Sequence, residues 1–436
     1  MIRRIAAALL VAAAVPAGAQ TFAIVNGIVA KGDGSEPIQG GTVVVRDGRI
    51  VAAGANVAVP NGAQVIDATG KWVTPGIVAG FSRLGLADVD LSAEGADDTS
   101  ADGPFNAAMD ASTAINPLDT TIAVNRADGV TRALVVPRAG ESIFGGQGAV
   151  IDTGADMDAV TAARKFQFVE LGQTGAEKAG GSRASSQVFF RNALREAAEL
   201  SGTDRPIAVR RHRSEDVLLT RFDAAALLPV LQGQQYLLVH VERASDILQV
   251  LDLKREFPSL KIVLVGASEG WLVAPQIAKA GVSVIASAVN DLPASFEQLA
   301  ATQSNVGRMR NAGVDVSIGM IDDSDTRNLF LERQYAGNLV GLQRIPGAAG
   351  VSWGEALAMI TSRPAEAIGM GKEIGSLDGG RRADLVIWSG DPLEGSSAAE
   401  QVFIDGVKQP LDTHQSRLLE RYRSLPRTDL PKAYRH

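Results

Sequence analysis

Four histidines, His212, His240, His414 and His436, are the only imidazoles in the chain, and there is no cysteine. The missing thiols exclude disulfides, thiolate metal sites, iron–sulfur clusters and a cysteine nucleophile. Metal binding or proton transfer near neutral pH therefore falls to imidazoles and carboxylates. His240 closes the apolar run Tyr236-Leu237-Leu238-Val239. An apolar strand has little reason to end on His, so a ligand or acid–base role and a hydrogen-bonded structural role both stay open. His212 lies in Arg210-Arg211-His212-Arg213, where neighbouring cations oppose a metal and favour an exposed loop or an anion contact. His414 and His436 fall in a polar tail.

Three further stretches carry residue types that do chemistry. Gly266-Ala267-Ser268-Glu269-Gly270 fits the Gly-x-Ser-x-Gly nucleophile elbow between a strand and a helix, with Asp322 and His414 following in the right order. The same small residues suit a plain strand-to-helix turn. Gly145-Gly146-Gln147-Gly148 reads as a flexible loop, either presenting backbone amides to a substrate or serving as a simple turn. Between Arg83 and Arg126 there is no Lys or Arg, while Asp88, Asp90, Glu94, Asp97, Asp98, Asp102, Asp110 and Asp119 accumulate. That segment is a solvated loop or a site for a cation or basic substrate.

The elements that must position these groups follow from pattern. Met1–Arg4 carries two positive charges, an apolar run follows to Val15, and Ala17-Gly18-Ala19 is a small-x-small cleavage site, so residues 1–19 read as a secretory signal peptide. The run is too short to stay in a bilayer, and a periplasmic or secreted protein without a membrane anchor is expected. A net charge of -7 and 5% aromatic residues exclude a nucleic-acid platform. Residues 20–74 alternate apolar and polar residues between Gly-rich turns, including Asp47-Gly48, and predict a small antiparallel sheet. From residue 75 to 370 short apolar runs alternate with helix-period segments. Such alternation predicts a parallel sheet buried on both faces, most economically an α/β protein of (β/α)8 TIM-barrel type, with seven clear strands and one indistinct one. Strand patterning returns in 371–410 and predicts completion of the N-terminal sheet, giving a composite β-sandwich. Residues 411–436 form a polar tail.

The passage from Val65 to Val78, with Thr74-Pro75-Gly76 at its centre, resembles the barrel entry of the amidohydrolase superfamily. Gly129-Val130-Thr131, Thr361–Gly369, Gly375-Ser376-Leu377 and Ala383–Trp388 with Gly390-Asp391-Pro392-Leu393 are similar to later parts of that family. The resemblance implies a barrel that hydrolyses amide or cyclic-amide carbon–nitrogen bonds, with metal held at strand ends. It places the first-strand His-x-His pair at Phe81 and Arg83, the fifth-strand His at His240, and the eighth-strand carboxylate at Asp322 or Asp323. What it leaves is a reduced site of His240 with Asp322 or Asp323, helped by Glu242 or Glu269, holding one divalent metal, zinc by preference, or none. Arg83, Gln147 and Glu269 are the expected contacts to a small-molecule substrate. The other expectation is a catalytically inactive family member that binds a ligand or pairs, as a homo- or hetero-oligomer, with an active paralogue.

Overall fold

The computed structural model describes residues 21–87, 96–100, 103–201, 217–321 and 326–423. The expected leader, His212, His436, Asp322 and Asp323 lie outside those residues. Among the described residues no helix is long and apolar enough to cross a membrane.

The first sheet begins with β1 (Phe22–Val29), β2 (Ile38–Arg46), β3 (Arg49–Gly54), β4 (Gln64–Asp67) and β5 (Trp72–Pro75). Asp47 and Gly48 both take positive φ, 51° and 71°, the two-residue hairpin geometry that Asp-Gly favours. The expected antiparallel sheet is in fact mixed: β1 runs antiparallel to β2 but parallel to β4 and β5. The connection through residues 55–63 carries the chain back before β4 begins, which a period-2 pattern cannot reveal.

The second sheet takes its strands in chain order: β6 (Ile77–Ser82), β7 (Val130–Val135), β8 (Phe144–Asp152), β9 (Val160–Glu170), β10 (Tyr236–Val241), β11 (Lys261–Gly266), β12 (Ser283–Ala286) and β13 (Val316–Ile318). Gly80 of β6 lies against the Ile318 carbonyl of β13, so the sheet nearly closes into an eight-stranded barrel. Its interior is filled by Val78, Leu134, Phe166, Phe168, Leu238, Val263, Val265 and Ile285, a packed core rather than a pore. Helices such as Ala244–Glu256, with Ile247, Val250 and Leu253 buried, cover the outside.

β8 corrects the reading of Gly145–Gly148 as a flexible loop. The segment is a buried strand, antiparallel to both β7 and β9. Its glycines serve packing: a Cβ on Gly148 would lie 2.0 Å from the Phe166 ring, and one on Gly145 2.7 Å from Phe168. The other seven strands are the apolar runs legible in the sequence, joined in parallel register.

The chain returns through β14 (Leu385–Trp388), β15 (Ala399–Ile404) and β16 (Val407–Lys408). β14 pairs antiparallel with β5, giving one composite sheet in the order β16-β15-β14-β5-β1-β2-β3 with β4 alongside β1. Phe22 stacks on Phe403 at 5.0 Å, and Ile24, Val43, Ile50, Leu385 and Ile387 share their core. Neither terminal set buries its apolar face alone, so each needs the other.

Candidate functional site at the barrel mouth

The parallel register β9–β10 sets Glu170 beside His240, each at the mouth end of its strand. Both share the inward parity of the core residues Phe168 and Leu238. His240 Nδ1 is hydrogen-bonded to a Glu170 carboxylate oxygen, and Nε2 lies 3.0 Å from Glu242 Oε1. Burial opposes charge on the ring, but Glu170 and Glu242 outweigh it and hold the imidazole well above its ordinary range. Burial likewise pushes the Glu242 carboxyl up, yet His240 and Ser268 together bring it below its usual value.

The turn after β11 shapes this clamp. Gly266, at φ 87°, leaves room for Glu242: a Cβ there would lie 2.3 Å from Glu242 Oε1 and 3.0 Å from His240 Cδ2. Ala267 follows at φ 51°, a left-handed position unusual for a residue with a side chain. Ser268 is buried and donates its backbone N–H to Glu242 Oε2 at 2.8 Å. This is the supposed nucleophile elbow. Its serine is engaged with Glu242, while His414 lines a separate cavity with Asp119, Arg126 and Arg417. Ser268 and His414 are therefore not brought together, and Asp322 lies outside the described residues.

A cavity of about 320 Å³ opens at the mouth, bounded by Phe81, Arg83, Arg138, Phe168, Glu170, Lys178 and His240, with Ala139, Thr174 and Ile321. Phe81 and Phe168 meet edge to face at 5.8 Å and form its apolar wall. Asp98, nearly fully buried, lies 2.8 Å from Arg138 Nη2 and 3.7 Å from Arg83 Nε. One member of the acidic segment is thus an internal counter-ion. Asp110 caps a 3-10 turn and Asp119 a helix, while Asp97 and Asp110 line another cavity of about 440 Å³ with Phe105 and Phe222.

Of the expected site residues, His240 and Arg83 reach the mouth cavity; two others do not. Gln147 lies in the wall strand β8, its Oε1 accepting from Gln235 Nε2 at 3.2 Å, which corrects its placement on a flexible loop. Glu269 is also buried and occupied: Oε2 accepts from Ala244 N at 3.0 Å and Oε1 from Ala300 N at 3.2 Å. It ties a helix start and a loop in place and does not line the cavity. Glu170, Arg138 and Lys178 were missed in the sequence. Glu170 ends its strand as His240 nearly ends the next, but only the β9–β10 register brings the two together; the other two lie beyond strands and reach the mouth only through tertiary structure.

As a metal centre the described donors fit poorly. No group of three or more His, Asp or Glu side chains among the described residues is arranged to hold an ion. Both nitrogens of His240 already face carboxylates.

The chain is similar to several known proteins. The profile of the Amidohydrolase family matches residues 241–413. The amidohydrolase tasK of Hapsidospora irregularis is 28% identical over 80% of this chain, a stretch that spans 38% of that relative's own length. The imidazolonepropionase of Acidiphilium cryptum is 26% identical over 82% of this chain and 89% of its own. Among solved structures, an amidohydrolase from Thermotoga maritima superposes with a TM-score of 0.77 at 23% identity, covering 89% of this chain and 99% of that one. A zinc-bound adenosine deaminase from Xanthomonas campestris gives 0.52 at 15% identity over 94% and 98%. Residues 241–413 match the Amidohydrolase family, and the chain shares the fold of a solved amidohydrolase.

Proposed function

We propose that the barrel mouth of this protein binds a small molecule without a metal centre, and that the protein is exported by its N-terminal leader. The observation that carries the reading is the engagement of His240, whose two ring nitrogens are each taken by a carboxylate. A metal-ligating imidazole needs one nitrogen lone pair facing the ion. Phe81 and Arg83 stand where the family resemblance puts the first-strand ligands, and an arginine at that place repels a cation. Elemental analysis of the purified protein, before and after incubation with zinc, manganese or iron, tests the reading. The expected result is no stoichiometric metal and no hydrolysis of amides or cyclic amides. About one metal per chain, with amide hydrolysis lost on His240→Ala, would overturn it.

A second reading, hydrolysis of a carbon–nitrogen bond by a reduced site of His240 with Asp322 or Asp323, draws support from the Amidohydrolase family match over residues 241–413 and from the imidazolonepropionase among the relatives. Turnover abolished by His240→Ala and by Asp322→Ala or Asp323→Ala would favour it over the first.

A further inference from the structure

We infer that the mouth cavity takes a small organic carboxylate, its charged end among Arg83, Arg138 and Lys178 and its hydrocarbon part against Phe81 and Phe168. This rests on the reading of the mouth as a ligand pocket rather than a metal centre.

Among the described residues, the charged side chains lining the cavity are Arg83, Arg138 and Lys178, the carboxylate of Glu170 and the ring of His240 to which it is bonded. Asp98 lies behind the two arginines and fixes them in place. Lys178 Nζ is held by the Gly140 carbonyl and makes no ion pair among the described residues. Asp98 offsets part of this positive charge, and a carboxylate entering the partly desolvated pocket offsets more of it. Guanidinium groups match the planar fork of a carboxylate, which can accept two parallel hydrogen bonds.

The rest of the wall selects further. The crossed rings of Phe81 and Phe168, with Ile321 nearby, suit an aryl or alkyl group. Glu170 on the same wall disfavours a doubly charged phosphate more than a singly charged carboxylate, and its oxygens can accept from an amide N–H of the ligand. A volume of about 320 Å³ confines the ligand to a small molecule.

The test is calorimetric titration and thermal-shift assay of the full chain with matched probes: phenylacetate, 4-phenylbutyrate and N-acetylphenylalanine, the neutral amide of each, and the corresponding phenylalkylamines. At least one carboxylate is expected to bind about tenfold or more tighter than its amide, with no binding of the amines. Lys178→Met should weaken that carboxylate about tenfold. Arg138→Met, at a half-exposed side chain, gives a second variant should the first fail to fold. Equal binding of amides or amines, no binding by any carboxylate, or unchanged affinity in both variants would overturn the inference. A stoichiometric mouth metal would instead overturn the metal-free reading on which it rests, whatever the probes do; failure of the carboxylates in metal-free protein sinks the ligand class alone.

Discussion

His240 shows what one residue's surroundings can do to its chemistry. Its ordinary pKa is about 6.5, and the Glu170–His240–Glu242 clamp raises it well above that value despite burial. The stabilisation from a raised histidine is fully present below the unfolded value and is lost as pH rises through the folded one. With four histidines in the chain, long-range ¹H–¹⁵N correlation spectra should resolve a ring still protonated at pH values where an ordinary imidazole is neutral. Glu170→Gln should bring that titration back toward the ordinary range and reduce the matching pH dependence of stability, Glu242 retaining its part. A His240 ring that titrates normally in the wild type would refute the clamp. The sequence made His240 conspicuous because a polar ring ending an apolar strand is rare. It left Glu170 inconspicuous, since an acidic residue at a strand end gains meaning only when the β9–β10 register sets it beside the imidazole.

At the scale of elements, strands buried on both faces were legible because they read as uninterrupted apolar runs; the helix starting at Trp353 is legible from Ser352 with Glu355 three residues on, a capping pair in which Ser352 Oγ accepts from Glu355 N at 3.2 Å. β8 was not legible. Three glycines break its apolar pattern and read as flexibility, whereas Gly145 and Gly148 are needed because the Phe168 and Phe166 rings press on them, and Gly146 takes a positive φ of 114° against the Met109 carbonyl. The distinction has a measurable consequence. If Gly148 marked a loose turn, Gly148→Ala would be neutral or slightly stabilising through the unfolded chain. With a Cβ 2.0 Å from Phe166 and 2.6 Å from the Val135 carbonyl, it should instead cost about 1–3 kcal/mol by overpacking. Urea denaturation reads the loss, and Phe166→Leu combined with Gly148→Ala should recover part of it, because the smaller side chain gives the new methyl room. Independent, additive losses would mean that the ring does not press on the glycine.

At the scale of the molecule, the barrel and the composite sheet are tied by a buried ion cluster. Arg132 of β7 is fully buried and bonds Asp384 through Nε and Nη2 at 2.9 and 3.1 Å, Asp405 at 2.8 Å and Asp152 at 3.3 Å. Asp384 and Asp405 flank β14 and β15 of the sheet, so one guanidinium spans both parts. Burial lowers the arginine's affinity for its proton, but the carboxylates, Asp384 foremost, more than reverse that. Removing the cation strands buried carboxylates, so Arg132→Met should cost about 3–5 kcal/mol in urea denaturation; a loss under about 1 kcal/mol would mean that the cluster is no better than an apolar contact. Asp152 is the weak member. Burial pushes its carboxyl up to about 6, with Arg132 only partly offsetting it. An acid whose pKa is raised on folding binds more protons in the folded state, so its contribution to stability falls as pH rises from about 4 and levels off above about 6. Asp152→Asn cannot ionise and escapes that fall. Measured across this range, the stability of Asp152→Asn relative to wild type should therefore climb with pH and then flatten; a difference that stays constant, or declines, would show that Asp152 is ionised in the cluster throughout.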